Sequence, residues 1–116
     1  MSDTFSYTVT EYEGAQLLEA TGYLSANTIN EFADFLEMIT DTDNVIIDMK
    51  SVALLTSSGI ESLVMASQNA RKKGKRVVLA CVKPEIKNMF ASLSMFHLVI
   101  FADTSEEGLI KIQYYT

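Results

Sequence analysis

The chain has 116 residues, 48% of them apolar and 21% charged, with a formal net charge of −6. That length describes one domain spanning residues 1–116, able to bury a core without a metal or a disulfide to staple it. The acidic balance disfavours nucleic acid and anionic membrane as ligands, because both demand clustered Lys and Arg.

Phe5 to Tyr12 alternates, with Phe5, Tyr7 and Val9 on one side, as a half-buried strand does. Glu13-Gly14 is a tight turn, and Ala15 to Thr21 returns as the second strand of an antiparallel hairpin. Gly22 to Asn27 is a loop. Ile29, Phe32, Ala33, Leu36 and Ile39 then follow helical spacing, and Thr28-x-x-Glu31 has the form of a capping box. Val45-Ile46-Ile47-Asp48-Met49 is short, apolar and β-branched, the signature of a strand covered on both faces. Lys50 to Ser57 reads as a loop and Ser58 to Lys73 as a second helix stopped by Gly74. Arg76 to Val82 is a further buried strand, Pro84 opens a third helix, and Leu98 to Phe101 is a last strand. Thr104-Ser105-Glu106-Glu107 is a second capping box that starts a C-terminal helix.

The order β-β-α-β-α-β-α-β-α predicts an α/β fold: a mainly parallel mixed sheet with an N-terminal antiparallel hairpin and four helices. Val45, Ile46, Ile47, Val77, Val78 and Leu79 should form the core, packed by Ile29, Phe32, Leu63, Phe90 and Leu93.

Chemistry for catalysis is scarce. His97 is the only histidine and Cys81 the only cysteine. Their spacing matches no metal site, and neither a phosphate loop nor a dinucleotide fingerprint is present. The expectation is therefore no enzyme, no cofactor and no metal, with Cys81 a buried core thiol. Arg71-Lys72-Lys73-Gly74-Lys75-Arg76 holds five of the nine basic residues. These cations complement a helix C-terminus, or alternatively form a patch for an acidic partner. Met1-Ser2-Asp3-Thr4 lacks a basic stretch leading into an apolar one, and no run nears the roughly 20 apolar residues of a membrane span. Both point to a cytoplasmic protein.

The informative segment runs from Asp48 to Glu61, where a buried strand crosses a loop into a helix at serine. Ser58-Gly59-Ile60-Glu61 has capping-box spacing, so Ser58 is expected as N-cap. Gly59 beside it would leave the Ser58 hydroxyl open to another protein's active site. A phosphate there would meet the positive end of the helix dipole.

At this point the chain resembles the STAS family, the domain shared by sulfate transporters and anti-sigma factor antagonists. The resemblance rests on Val45 to Gly59 with its Ser57-Ser58-Gly59, on Ala70 to Ala80, and on Leu98 to Phe101 followed by Thr104 to Leu109. Free-standing members of that family imply partner switching. Such a protein binds a serine kinase of the histidine-kinase-like ATPase fold, which acts as anti-sigma factor. The kinase phosphorylates the serine before Gly and breaks the complex, and a serine phosphatase restores it. Carried over, the phosphoacceptor is Ser58. Three acidic residues common in such antagonists are replaced here, one by Thr56 and two by Tyr23 and Ser25 of Gly22-Tyr23-Leu24-Ser25.

The expected partner surface comprises Tyr23, Leu24, Ser25 and Asn27 from one loop and Leu55, Thr56, Ser57 and Gly59 from the other. Met65 and Gln68 should join it from the exposed side of the second helix. The alternative function is a STAS subunit that docks on the cytoplasmic face of a membrane transporter without being phosphorylated.

Overall fold

The computed structural model describes residues 4–115. Met1, Ser2 and Asp3, from which the absence of a targeting segment was inferred, lie outside them.

Strand β1 (Phe5–Tyr12) pairs antiparallel with β2 (Ala15–Leu24), and β3 (Val45–Leu55), β4 (Val77–Ala80) and β5 (Ile100–Ala102) extend the sheet in parallel. The strand order is β1-β2-β3-β4-β5. Right-handed crossovers that always step in the same direction place successive helices on the same face. Accordingly, α1 (Ile29–Ile39), α2 (Ser57–Lys72) and α3 (Pro84–Ser92) share one layer, and α4 (Ser105–Tyr115) covers the other face.

This arrangement explains the near-continuous apolar run of β3. Val45, Ile47 and Met49 pack under α1, α2 and α3, whereas Ile46 meets Val78, Leu109 and Ile112 on the α4 side. Both faces are dry, so both sets of alternate side chains are apolar. Leu63, Phe32 and Phe90 are fully buried as expected. Each buried Leu or Phe of this kind contributes roughly 1.5–3 kcal/mol of transfer free energy.

Several sequence expectations are corrected. Strand β3 does not end at Met49 but runs to Leu55, because β2 is ten residues long and pairs with it again from Thr21–Ser51 to Leu24–Leu55. Register shifts between Glu19 and Thr21 and between Gly22 and Tyr23 break the alternation there, so Lys50 to Leu55 looked like a loop. At the first irregularity the buried Asp48 carboxylate accepts from the Lys50 amide at 3.0 Å. Leu98 belongs to a 3₁₀ turn (Phe96–Leu98), not a strand, and is 43% exposed. Leu93 caps α3 at the surface instead of packing in the core. Cys81 lies one residue beyond β4, half-buried, with φ at +59°. Burial, with Asp48 beside it, raises the thiol pKa above its ordinary value.

Helix ends follow local chemistry. Thr104 Oγ1 accepts from the Glu107 amide at 3.0 Å, and the Glu107 carboxylate accepts from the Asp103 amide at 2.9 Å. The expected box at α4 therefore forms, with Glu107 reaching one residue further back. At the end of α2 the Gly74 amide donates to Arg71 and the Lys75 amide to Ala70. This is a Schellman closure, and it needs the left-handed conformation that Gly74 adopts at φ +80°.

Candidate functional site

Strands β2 and β3 end side by side, Leu24 opposite Leu55, so the loops that follow them emerge together. The Thr56 amide donates to the Leu24 carbonyl at 3.1 Å and ties the two exits. Thr56 then takes extended backbone angles, and its Oγ1 accepts from the Gly59 amide at 3.3 Å. Its carbonyl accepts from the Ile60 amide at 2.9 Å. Thr56 is therefore the N-cap of α2, and Ser57 and Ser58 are the first two residues of the helix.

This corrects the reading of Ser58 as the cap. A threonine two residues earlier satisfies the same chemistry, and Ser58 and Glu61 form no reciprocal box. Ser57 and Ser58 are both exposed. Their amides are among those that a helix start leaves without an intrahelical acceptor.

Gly59 has a different role from the one expected. It is buried and points inward. A Cβ there would lie 2.7 Å from the Leu24 carbonyl oxygen and 2.8 Å from Leu55 Cδ1. Glycine is needed so that α2 can seat against the exits of β2 and β3; it does not open a path to Ser58.

The β2–α1 loop is held from within. Thr28 Oγ1 donates to the Tyr23 carbonyl at 2.7 Å and accepts from the Ser25 amide at 3.0 Å. Ser25 Oγ accepts from the Asn27 amide at 3.3 Å, and the Ser25 carbonyl accepts from the Ile29 amide at 2.9 Å. With its hydroxyl so engaged, Thr28 does not form the expected box with Glu31.

These contacts divide the expected partner residues. Leu24, Ser25, Leu55 and Gly59 are buried and offer no side-chain surface. Their work is to shape the two loops, and the Thr56 hydroxyl is occupied by its cap. Tyr23, Asn27, Ser57, Ser58, Met65 and Gln68 remain exposed.

A shallow depression of about 300 Å³ joins the two loops, with Ser58, Glu61 and Met65 on one bank and Ala26, Ile29 and Asn30 on the other. It continues between α1 and α2 past Asp34, Glu37 and Asn69. Met65, 64% exposed, lines both parts. Gln68 lies outside this lining. Asn30, Asp34 and Glu37 on α1, and Glu61, Ser62 and Asn69 on α2, were missed from sequence. The available signal was their i, i+3, i+4 spacing, which reads equally as any solvated helix face.

The groove is acidic. At its far end Lys73 Nζ lies 2.9 Å from Asp41 Oδ1 and 3.5 Å from Glu37 Oε1. The Asp41 hydrogen bond leads the effects that hold the Lys73 pKa above its ordinary value. Among the described residues, no group of three or more His, Cys, Asp or Glu could hold a metal ion, and no helix is long and apolar enough to cross a membrane.

Solved structures with this fold come from two settings. An anti-sigma factor antagonist from Mycobacterium paratuberculosis superposes with a TM-score of 0.82 at 13% identity, covering 95% of each chain. The phosphorylated form of the Bacillus cell fate determinant SpoIIAA matches at 0.70 with 13% identity, over 92% of this chain and 99% of that one. A sulfate transporter family protein from Wolinella succinogenes matches at 0.71 with 16% identity, over 91% of this chain and 90% of that one. At these identities the likeness concerns the fold. The family model for the STAS domain matches residues 6–108, and with the five-stranded sheet and its four helices it establishes that this chain belongs to the STAS domain family.

Proposed function

We propose that this chain is a partner-switching regulator that acts by binding and is turned off by phosphorylation of Ser58. Its partner is an anti-sigma-factor-type serine kinase of the histidine-kinase-like ATPase fold, and a serine phosphatase resets it in the cytoplasm. The observation that carries this reading is the division of labour at the start of α2. Thr56 caps the helix, so the exposed Ser58 hydroxyl can accept a phosphate without uncapping it. The added charge of about −1.5 to −2 sits at the positive end of the helix dipole, which offsets part of it. Glu61, in the same depression, is repelled. The fold is retained while the groove becomes more acidic.

Binding in place of catalysis fits the side chains available. Burial moves the Cys81 pKa upward, opposite to the shift a nucleophilic thiol needs.

Burying an unpaired charge in a formed interface costs about 2–5 kcal/mol, or roughly 30- to 3,000-fold in affinity. The test is affinity capture of the full chain from its native cell, with mass spectrometry of Ser57 and Ser58. Binding of Ser58→Ala and Ser58→Asp to the captured kinase is then measured. The expected result is phosphate on Ser58, a constitutive Ser58→Ala binder and a weak Ser58→Asp binder. An unmodified chain whose Ser58→Asp variant binds like wild type would overturn the switch.

The match to a transporter-family protein over nine-tenths of both chains supports a second reading, a subunit docking on a transporter's cytoplasmic face. Capture of a permease, with binding indifferent to Ser58→Asp, would favour it.

A further inference from the structure

We propose that the open edge of β1 is an interface between two copies of this chain, which pair antiparallel about a two-fold axis centred on Val9 and form one continuous sheet. Strand β1 ends the sheet, and among the described residues no strand lies beyond it. Thr8, Val9, Thr10 and Glu11 are exposed.

The hairpin decides which backbone groups face outward. Glu13 and Gly14, both at positive φ, make a two-residue turn, so the pair that closes it, Tyr12–Ala15, is a hydrogen-bonded pair. Bonded and non-bonded pairs alternate from there, which makes Thr10–Leu17, Thr8–Glu19 and Ser6–Thr21 bonded as well. The Tyr23 amide donates to the Thr4 carbonyl at 2.8 Å and continues the same parity. The N–H and C=O groups of Phe5, Tyr7, Val9 and Glu11 therefore point away from β2, along the open edge.

Sheets normally blunt such an edge with Lys, Pro, a bulge or a very short strand. Phe5–Tyr12 contains no Lys, Arg or Pro. Its register with β2 runs without a shift, unlike that of β2 with β3. The opposite edge strand, β5, is three residues long and so protected by its shortness. The edge left able to pair is β1.

A second copy fits this edge in one register. Hydrogen-bonded pairing needs outward-facing residues opposite each other. Centring on Val9 sets Val9 against the partner's Val9 and Tyr7 against the partner's Glu11, and each pair exchanges both of its N–H···O bonds. Between them Thr8 meets the partner's Thr10, a favourable cross-strand pair. Val9, 43% exposed in the single chain, is covered at the centre. Glu11, the one charged residue of the strand, faces a tyrosine. Centring on Glu11 would oppose two carboxylates, and centring on Tyr7 would leave Glu11 with no opposite residue in the strand. Glu31, whose carboxylate acts on Tyr7, is brought toward the partner's Glu11, and each copy carries a net charge of −6. Salt should therefore strengthen association by screening.

Strand β2 leaves the sheet at the end where β1 begins, Gly22 opposite Phe5. Antiparallel pairing thus places the two Ser58 loops at opposite ends of the joined sheet, where each is free to bind. The interface does not depend on the Ser58 reading.

The test is sedimentation equilibrium of the full-length protein from about 10 μM to about 1 mM, a range suited to the modest area that one strand edge buries. Amide exchange is followed by NMR at both ends of that range. The expected result is a reversible monomer–dimer equilibrium that higher salt shifts toward dimer. Exchange at Tyr7, Val9 and Glu11 should slow as concentration rises, whereas Ser6, Thr8 and Thr10, already bonded to β2, exchange slowly throughout. Val9→Lys sets two like charges opposite each other and should weaken association about tenfold or more. Mixed with Val9→Glu, it should associate again. The wild-type exchange pattern decides the question even where a variant folds poorly. A chain monomeric throughout, a dimer with unchanged exchange at β1, or a dimer indifferent to Val9→Lys would overturn the proposal. So would protection of Tyr7, Val9 and Glu11 that appears only on adding the captured kinase, which would give the edge to a strand of that protein.

Discussion

Gly59→Ala tests how α2 is seated. In an open helix the exchange would stabilise by about 1 kcal/mol through helix propensity. Here the new Cβ would lie 2.7 Å from the Leu24 carbonyl oxygen and 2.8 Å from Leu55 Cδ1. Leu55 is 1% exposed, so its methyl has nowhere to swing. The Leu24 oxygen is held by the Thr56 amide at 3.1 Å and by the pairing of β2 with β3. Overpacking of this kind costs about 1–3 kcal/mol, and stretching the Thr56–Leu24 hydrogen bond about 1 more. After the propensity gain, the net loss is about 1–3 kcal/mol. At roughly 4 °C per kcal/mol for a chain of this length, the melting temperature falls by about 4–12 °C. Urea denaturation followed by circular dichroism, with m unchanged, reads the loss directly. Gly108→Ala in α4 is the control. Its nearest atoms are side-chain methyls of Val78 and Ile46 at 3.3 and 3.4 Å, contacts that ask for a few tenths of an ångström of give, so stability should fall much less than in Gly59→Ala. A Gly59→Ala protein as stable as wild type would refute the close approach of α2 to the β2 exit.

Leu63 is fully buried, so Leu63→Ala should lose about 2–5 kcal/mol by urea denaturation through transfer and cavity terms. Thr56→Ala should cost about 1 kcal/mol, the usual value of an N-cap, and more than Ser58→Ala does. The reverse ranking in thermal melts would return the cap to Ser58. The Cys81 pKa is raised in the folded chain, so the unfolded chain deprotonates first as pH climbs. Stability should therefore decline through the ordinary thiol range near ~8.5. A Cys81→Ser variant compared with wild type in urea titrations at rising pH should lack that part of the decline.

The order of the elements and the architecture were legible in the residue pattern, but not the length of β3, the 3₁₀ turn at Leu98 or the start of α2. Unbroken β-branched runs at Val45 to Ile47 and Val77 to Leu79 occur where both sides of a strand are dry, and helical spacing in Ile29, Phe32 and Leu36 occurs where one face is. Periodicity records burial, and burial is what a sheet covered by helices imposes. The site was legible only as a neighbourhood, Ser57-Ser58-Gly59 after a strand. Tertiary structure decided which residue caps. Thr56 is pinned to Leu24, a residue 32 positions earlier, and that hydrogen bond fixes the helix start ahead of Ser58. It decided that Gly59 faces a carbonyl instead of a partner, and that Leu24, Ser25 and Leu55 support loops without contributing side-chain surface. Local spacing encodes hydrogen bonds within one turn of chain. Contacts between distant strands and helices leave no period in the sequence, and the groove is made of such contacts.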